Sequence, residues 1–145
     1  MSEKYSAQTS ILIKAPIDKV WSALTNPEEI KKYLHDTDTK TDWVVGHQIT
    51  WSGVWNGKVY VDKGEVLAYE PKKLIKVSHW SPLSGTEDNP DNYHIVKYEL
   101  TNKGFDTVIT LTQSNSPSQE DADNMVKSGW EPILNQIKQQ VELSK

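Results

Sequence analysis

Four histidines are the side chains of this sequence best suited to exchanging protons or binding a metal. They are His35, His47, His79 and His94. In the strand assignment below, His79 and His94 occupy inward-facing positions of neighbouring strands, so they could share a site. Two histidines without a placed carboxylate make a poor zinc site, whereas one polar group in an apolar pocket would orient a ligand. Ligand contact, acid–base catalysis and a structural role all stay open for this pair.

Two acidic stretches, residues 35–42 and 87–92, are the other candidates for metal binding. In the first, Lys40 occupies a ligand position, and the glycine and terminal glutamate of a calcium-binding loop are missing. The chain also lacks a G-x-S-x-G elbow, a phosphate-binding glycine loop and an H-E-x-x-H motif. We therefore expect no metal, no cofactor and no set of catalytic residues.

Arginine and cysteine are both missing from the composition. All 16 basic residues are lysine, against 20 acidic residues, for a net charge of −4. Because arginine supplies the bidentate contacts to phosphate and guanine, we expect no nucleic-acid partner. Without cysteine the chain forms no disulfide and no thiolate metal site. Residues 1–4 carry no apolar signal and no run reaches membrane-spanning length, which predicts a cytoplasmic protein without a membrane partner.

Hydrophobic periodicity predicts one α+β domain over residues 1–145. Pro16 opens a short helix, and Asn26-Pro27 caps a second one. The polar residues 35–42 are expected to form a loop, and Asn56-Gly57 is typical of a type I′ hairpin. Gly64 is expected to mark a bulge or bend. The predicted strands, which would form one antiparallel sheet, are residues 5–14, 43–45, 48–55, 58–69, 74–80, 93–100 and 105–114.

The last thirty residues, 116–145, predict one long helix around which the sheet curls. Ser116 would cap it, with Pro117 at the first helical position and Gln119 completing a capping box. We expect Gly129 to bring the backbone close to its neighbours, and we expect either a kink near Gly129-Trp130 or a restart of the helix at Pro132. The predicted apolar stripe consists of Ala122, Val126, Gly129, Trp130, Ile133, Leu134, Ile137 and Val141.

Several motifs, set in this order of elements, resemble the homologues of the activator of heat-shock protein 90 ATPase, within the START-like, helix-grip superfamily. The motifs are Ala15-Pro16 to Val20-Trp21, residues 26–30, residues 46–49, residues 64–67, the stretch from Glu70 to Trp80, and Gly129-Trp130 with Leu134. Two positions depart from the pattern. Tyr33-Leu34 stands where the family usually has Trp-Phe, and Gln113 stands where histidine is frequent. The resemblance implies that both positions line an interior cavity, so the family's ligand preference is not carried over.

The resemblance implies a helix-grip fold with an interior cavity for a hydrophobic small molecule, and six tryptophans would suit such a wall. Inward parity and the resemblance together give the expected lining: Leu24, Leu34, Trp51, His79, His94, Tyr98, Trp130 and Leu134. We therefore expect non-enzymatic binding of a lipid-like or aromatic molecule. The alternatives are a module that stimulates a chaperone ATPase, with a chaperone partner, and a cyclase- or hydrolase-like enzyme, for which no nucleophile or oriented acid–base pair is visible. The sequence does not determine the oligomeric state.

Overall fold

The computed structural model describes residues 4–34 and 36–143. The predicted loop start at His35 and the last two residues of the predicted helix lie outside this part. The α-helices are α1 (Ile17–Thr25), α2 (Pro27–Tyr33), α3 (Gln119–Asn124) and α4 (Glu131–Leu143). The strands are β1 (Tyr5–Ile13), β2 (Asp38–Lys40), β3 (Gln48–Trp55), β4 (Lys58–Glu70), β5 (Leu74–His79), β6 (His94–Lys103) and β7 (Asp106–Ser116).

Within the described residues, the seven strands form one antiparallel sheet in the order β1-β7-β6-β5-β4-β3-β2. Consecutive strands pair from β2 to β7, and β1 completes the sheet by pairing with β7 from the far end of the chain. The sheet curves, and its concave face carries the helices. Asn56 and Gly57 have φ angles of 53° and 79°, as a type I′ turn requires, so the predicted hairpin between β3 and β4 is confirmed. The α+β class is confirmed as well.

The predicted strand at residues 43–45 is wrong, because the strand that pairs with β3 is β2. Thr39 lies opposite Trp51 in this pairing and is buried, although its polar neighbours favoured a loop. Trp43 instead has a φ of 60°, a left-handed value that does not fit a regular β-strand. Its indole N–H donates to the Thr25 carbonyl at 3.1 Å. The polar residues 38–40 therefore form the strand that was expected at residues 43–45, and Trp43 lies outside it.

The predicted helix start at Ser116 is also wrong. Ser116 is the last residue of β7 and is fully buried, whereas Ser118 caps α3 by accepting a hydrogen bond from the Asp121 N–H at 3.1 Å. The capping box of Ser116 with Gln119 therefore does not form. The Gln119 side chain donates instead to the Ser6 carbonyl of β1 at 2.8 Å, so the first turn of the helix is attached to the sheet.

The predicted irregularity near Pro132 is a π-helical segment, Met125–Trp130, between α3 and α4. The Glu131 N–H donates to the Val126 carbonyl, five residues back, and α4 then continues with Pro132 in its first turn. Pro132 has no N–H to donate, so the helical hydrogen bonds omit this position. The expected close approach at Gly129 is wrong, since an added Cβ would meet nothing nearer than the Met125 Cε at 3.8 Å.

The core lies between the concave face of the sheet and the helices. Leu134, Ile137 and Val141 of α4 are buried there, which confirms the inward stripe of the last helix. They pack in the same cluster as Ile109 and Leu111 of β7. The terminal helix, which we define as α3, the π-helical segment and α4, therefore rests on the sheet along much of its length.

Candidate functional site

A cavity of about 630 Å³ lies between the terminal helix and the concave face of the sheet. We call it the central cavity. Its walls are mostly aliphatic and aromatic, and the exposed side chains of Val54 and Met125 are part of its rim. Six residues that sequence reasoning assigned to the lining do line it: Leu24, Leu34, Trp51, His79, Tyr98 and Trp130. The fold therefore brings together residues from α1, the C-terminal cap of α2, three strands and the π-helical segment.

His94 and Leu134 lie outside this lining. Leu134 is 1% exposed and belongs to the packed core beneath the helix. His94 lies directly opposite His79 in the β5–β6 ladder, but it lines a separate depression beside Pro117 and Asp121. Burial, together with the nearby His79, lowers the pKa of His94, and its Nδ1 has no hydrogen-bond partner in the part of the chain that the structure describes. The two histidines are thus neighbours that line different spaces.

Aromatic rings meet edge to face at two places on the cavity wall. Trp130 and Tyr98 are 6.0 Å apart between ring centroids, with their planes at 90°. Trp51 meets the His79 ring at 5.1 Å and 62°. Burial raises the pKa of Tyr98 well above its ordinary value, so this phenol stays protonated and neutral. Such edge-to-face pairs fix the ring orientations and leave broad apolar surfaces for a ligand.

Gln113 of β7 is a polar side chain in the cavity wall. It is 1% exposed, and its Oε1 accepts a hydrogen bond from the Trp130 indole N–H at 2.5 Å. Among the described residues, the amide nitrogen of Gln113 has no hydrogen-bond partner. Because the π-helical segment ends at Trp130, the irregular helix turn and the strand meet at this hydrogen bond.

A second polar point lies where β4 and β5 meet. The His79 Nε2 and the Asp62 Oδ2 are 2.9 Å apart, and the buried Asp62 Oδ1 has no hydrogen-bond partner within residues 4–34 and 36–143. Both residues line the central cavity. A carboxylate beside an imidazole fixes the tautomer and orientation of the ring, and the same arrangement orients a general base in hydrolases. The structure therefore pairs His79 with a carboxylate that the sequence did not place beside it.

The expected lining left out Asp62 and also the hydrogen-bonded pair Thr37 and Tyr60, whose oxygens are 2.9 Å apart in the wall. Gln113 was expected near the cavity as a departure from the family pattern but was not among the eight expected lining residues, and it does line the cavity. Strand parity supports the same position, because Gln113 continues the inward series of Ile109 and Leu111. Asp62 carried no such signal, since its inward position follows from its pairing with Trp51 across the hairpin.

The part of the chain that the structure describes shows no cluster of three histidine, aspartate or glutamate side chains able to hold a metal ion. Within the same residues, no helix is long and apolar enough to cross a membrane. What the geometry offers is a large apolar enclosure with two buried, incompletely bonded polar groups. This is the usual composition of a small-molecule site.

A curved antiparallel sheet gripping a long terminal helix, with a cavity between them, defines the helix-grip class. The family model described as "Activator of Hsp90 ATPase homolog 1-like protein" matches residues 14–142, and the chain belongs to this family. No curated protein sequence matches the chain significantly.

Solved structures show the same fold. The protein ChR145 from Cytophaga hutchinsonii is 40% identical with a TM-score of 0.84, over 99% of this chain and 98% of that one. MLL2253 from Mesorhizobium loti is 26% identical with a TM-score of 0.75, over 97% and 98%. A solution structure of the Aha1 dimer from Colwellia psychrerythraea is 23% identical with a TM-score of 0.73, over 97% and 98%.

Proposed function

We propose that the protein binds a hydrophobic small molecule in the central cavity without transforming it. The observation that carries this proposal is the cavity itself, about 630 Å³ of space with a mainly apolar and aromatic wall. Pockets for drug-sized ligands range from about 300 to 1,000 Å³. A fold that served only packing would fill such a volume with side chains, because protein interiors are close-packed.

Affinity in this cavity would come mainly from buried apolar area. Burying about 200 Å² of ligand surface at about 25 cal/mol per Å² contributes about 5 kcal/mol before the entropic cost of association. Flat or elongated molecules suit the space between Trp51 on the sheet and Trp130 on the helix. Gln113 and the Asp62–His79 pair would set the orientation of the bound molecule, since each has a buried polar atom without a partner.

Tryptophan fluorescence tests this proposal directly, because Trp43, Trp51 and Trp130 line the cavity. We expect at least one compound from a panel of fatty acids, flavonoids and polyketide-like aromatics to change the emission in a saturable way. Trp130→Ala should weaken that binding, whereas Trp80→Phe should retain it because Trp80 stacks on Tyr93 away from the cavity. If no compound changes the emission, and a crystal structure shows an interior filled by side chains, the proposal fails.

Stimulation of a chaperone ATPase is the second candidate function, and the family match over residues 14–142 is the observation that favours it. The measurement is the ATPase rate of an Hsp90 chaperone with and without the protein. The rate that remains when a specific chaperone inhibitor is added is subtracted as background. A rate that rises with protein concentration and saturates would support the second candidate. An unchanged rate would leave small-molecule binding as the better explanation of the fold.

A further inference from the structure

We propose that the molecule bound in the central cavity is neutral and carries a carbonyl oxygen, and that the amide nitrogen of Gln113 binds this oxygen. This inference rests on the proposed function, small-molecule binding, and adds the chemical class of the ligand. Three observations on Gln113 and its surroundings carry it: the fixed orientation of the amide, the lack of any partner for its nitrogen, and the charges of the lining.

Trp130 determines which end of the Gln113 amide is free. An indole nitrogen can only donate a hydrogen bond, so the atom that it contacts at 2.5 Å must be the amide oxygen. The amide nitrogen is therefore at the other end of the group and presents two N–H donors. A free N–H donor forms a hydrogen bond with a ligand atom that accepts one, such as a carbonyl oxygen. It forms none with the proton of a ligand hydroxyl.

The surroundings of Gln113 leave this donor unsatisfied. Its cross-strand neighbours are Ala7 on β1 and Val96 on β6, neither of which has a polar side chain. The side chain is 1% exposed, and its nitrogen has no partner among the described residues. Buried donors are nearly always hydrogen-bonded in folded proteins, and an unpaired one is costly. Gln113 borders the central cavity, so a ligand in that space lies beside its side chain.

The charges of the lining favour a neutral carbonyl over a carboxylate. The described residues around the central cavity include no lysine, and the chain has no arginine. The imidazole of His79 is already paired with Asp62, which itself brings a carboxylate into the wall. A carboxylate ligand would lose its hydration without gaining a cation, which is strongly unfavourable, whereas a ketone or ester loses little.

Three naphthalenes of nearly equal size form the test: 2-acetylnaphthalene, 2-ethylnaphthalene and 2-naphthoate, titrated by calorimetry at neutral pH. We expect the ketone to bind about 10-fold more tightly than the hydrocarbon, the effect of one buried hydrogen bond. The carboxylate should bind more weakly than the ketone. Equal affinities for ketone and hydrocarbon, or tightest binding of the carboxylate, would overturn the inference.

Gln113→Leu should remove the preference for the ketone while the hydrocarbon still binds. Gln139→Leu, the same replacement on the exposed face of α4, should keep the preference. The wild-type protein gives an independent measurement, because the side-chain amide resonances of Gln113 in ¹⁵N-labelled protein should shift with the ketone and much less with the hydrocarbon. A preference that survives Gln113→Leu, or amide resonances that respond equally to both probes, contradicts the inference.

The outcomes separate this inference from the function on which it rests. Binding of the hydrocarbon and the ketone with the same affinity would retain the apolar cavity as a binding site and reject the role of Gln113. Failure of all three naphthalenes, and of the wider compound panel, to bind would reject both.

Discussion

Gly64 lies in β4, where the strand passes close to β5. A Cβ added at Gly64 would lie 1.7 Å from the backbone oxygen of Ser78, so any side chain forces the strands apart. The sequence predicted a bulge or bend at this glycine. The register shift falls at residues 66–68, and the role of Gly64 itself is close backbone contact.

Gly64→Ala should therefore destabilise the fold by about 3 kcal/mol or more, at the upper end of what overpacking usually costs. Gly129→Ala is the matched control, because its new methyl group would meet nothing closer than 3.8 Å. Alanine also favours helical backbone, so we expect no loss of stability there. Urea unfolding of the three proteins measures the difference, and equal losses in both variants would contradict this account of Gly64.

His94 makes stability depend on pH in a direction that the structure fixes. Burial is the main reason that its pKa lies below 6.5, and the nearby His79 lowers it further while Asp121 partly opposes. As the pH is lowered, His94 is therefore protonated at a higher pH in the unfolded chain than in the folded protein. The free energy of unfolding should fall as the pH drops through about 6.5 and level off below the folded-state pKa.

His94→Gln should reduce that fall while changing stability little above pH 7. The measurement is the urea midpoint of wild type and variant at several values between about pH 5 and pH 7.5. Parallel curves for the two proteins would show that another group causes the acid sensitivity.

At the residue scale, sequence reasoning predicted apolar positions better than polar ones. Alternation placed Ile109 and Leu111 inward correctly because burial of large apolar side chains dominates strand orientation. Gln113 and Asp62 are inward for a different reason: their position is set by strand parity and pairing. No local property of an amide or a carboxylate predicts burial, and only the partners Trp130 and His79 make it acceptable.

At the scale of elements, the two serines around Pro117 show why helix ends are hard to locate. Both fit a capping role by type, but Ser116 belongs to β7, whereas the Ser118 hydroxyl accepts a hydrogen bond from the Asp121 N–H. The buried Ser116 hydroxyl finds no hydrogen-bond partner in the described residues. The choice between them depends on how far β1 extends its pairing with β7, since Tyr5 lies opposite Ser116. The pairing of β1 with β7 therefore places the start of the helix two residues later than the sequence predicted.

Ser118→Ala should cost about 1 kcal/mol, the usual loss for an N-cap side chain. Ser116→Ala should be neutral or stabilising, because it removes a buried hydroxyl that is not hydrogen-bonded. Chemical unfolding of both variants measures the pair. The reverse order of stabilities would mean that the helix begins at Ser116 after all.

On the scale of the whole molecule, the terminal helix joins parts of the chain that are distant in sequence. The Lys138 ammonium donates to the Leu12 carbonyl of β1 at 2.9 Å, and the Gln140 amide donates to the Glu29 carbonyl of α2 at 3.0 Å. The architecture could be predicted from sequence because long periodic segments specify elements strongly. Periodicity indicates that a side chain faces inward but not whether it contacts another side chain. The central cavity could therefore not be derived from periodicity.

Deleting residues 130–145 should leave no cooperatively folded protein. The deletion removes Leu134, Ile137 and Val141, all buried, together with the Trp130 side chain that bonds Gln113. Truncating one large buried side chain to alanine costs about 2–5 kcal/mol, and the total stability of a domain is about 5–15 kcal/mol. The summed loss is comparable with the whole stability, so thermal unfolding followed by circular dichroism should show a broad, non-cooperative change. A sharp transition in the truncated protein would show that the sheet folds without the helix, and the central cavity would then lose the wall on which the proposed function depends.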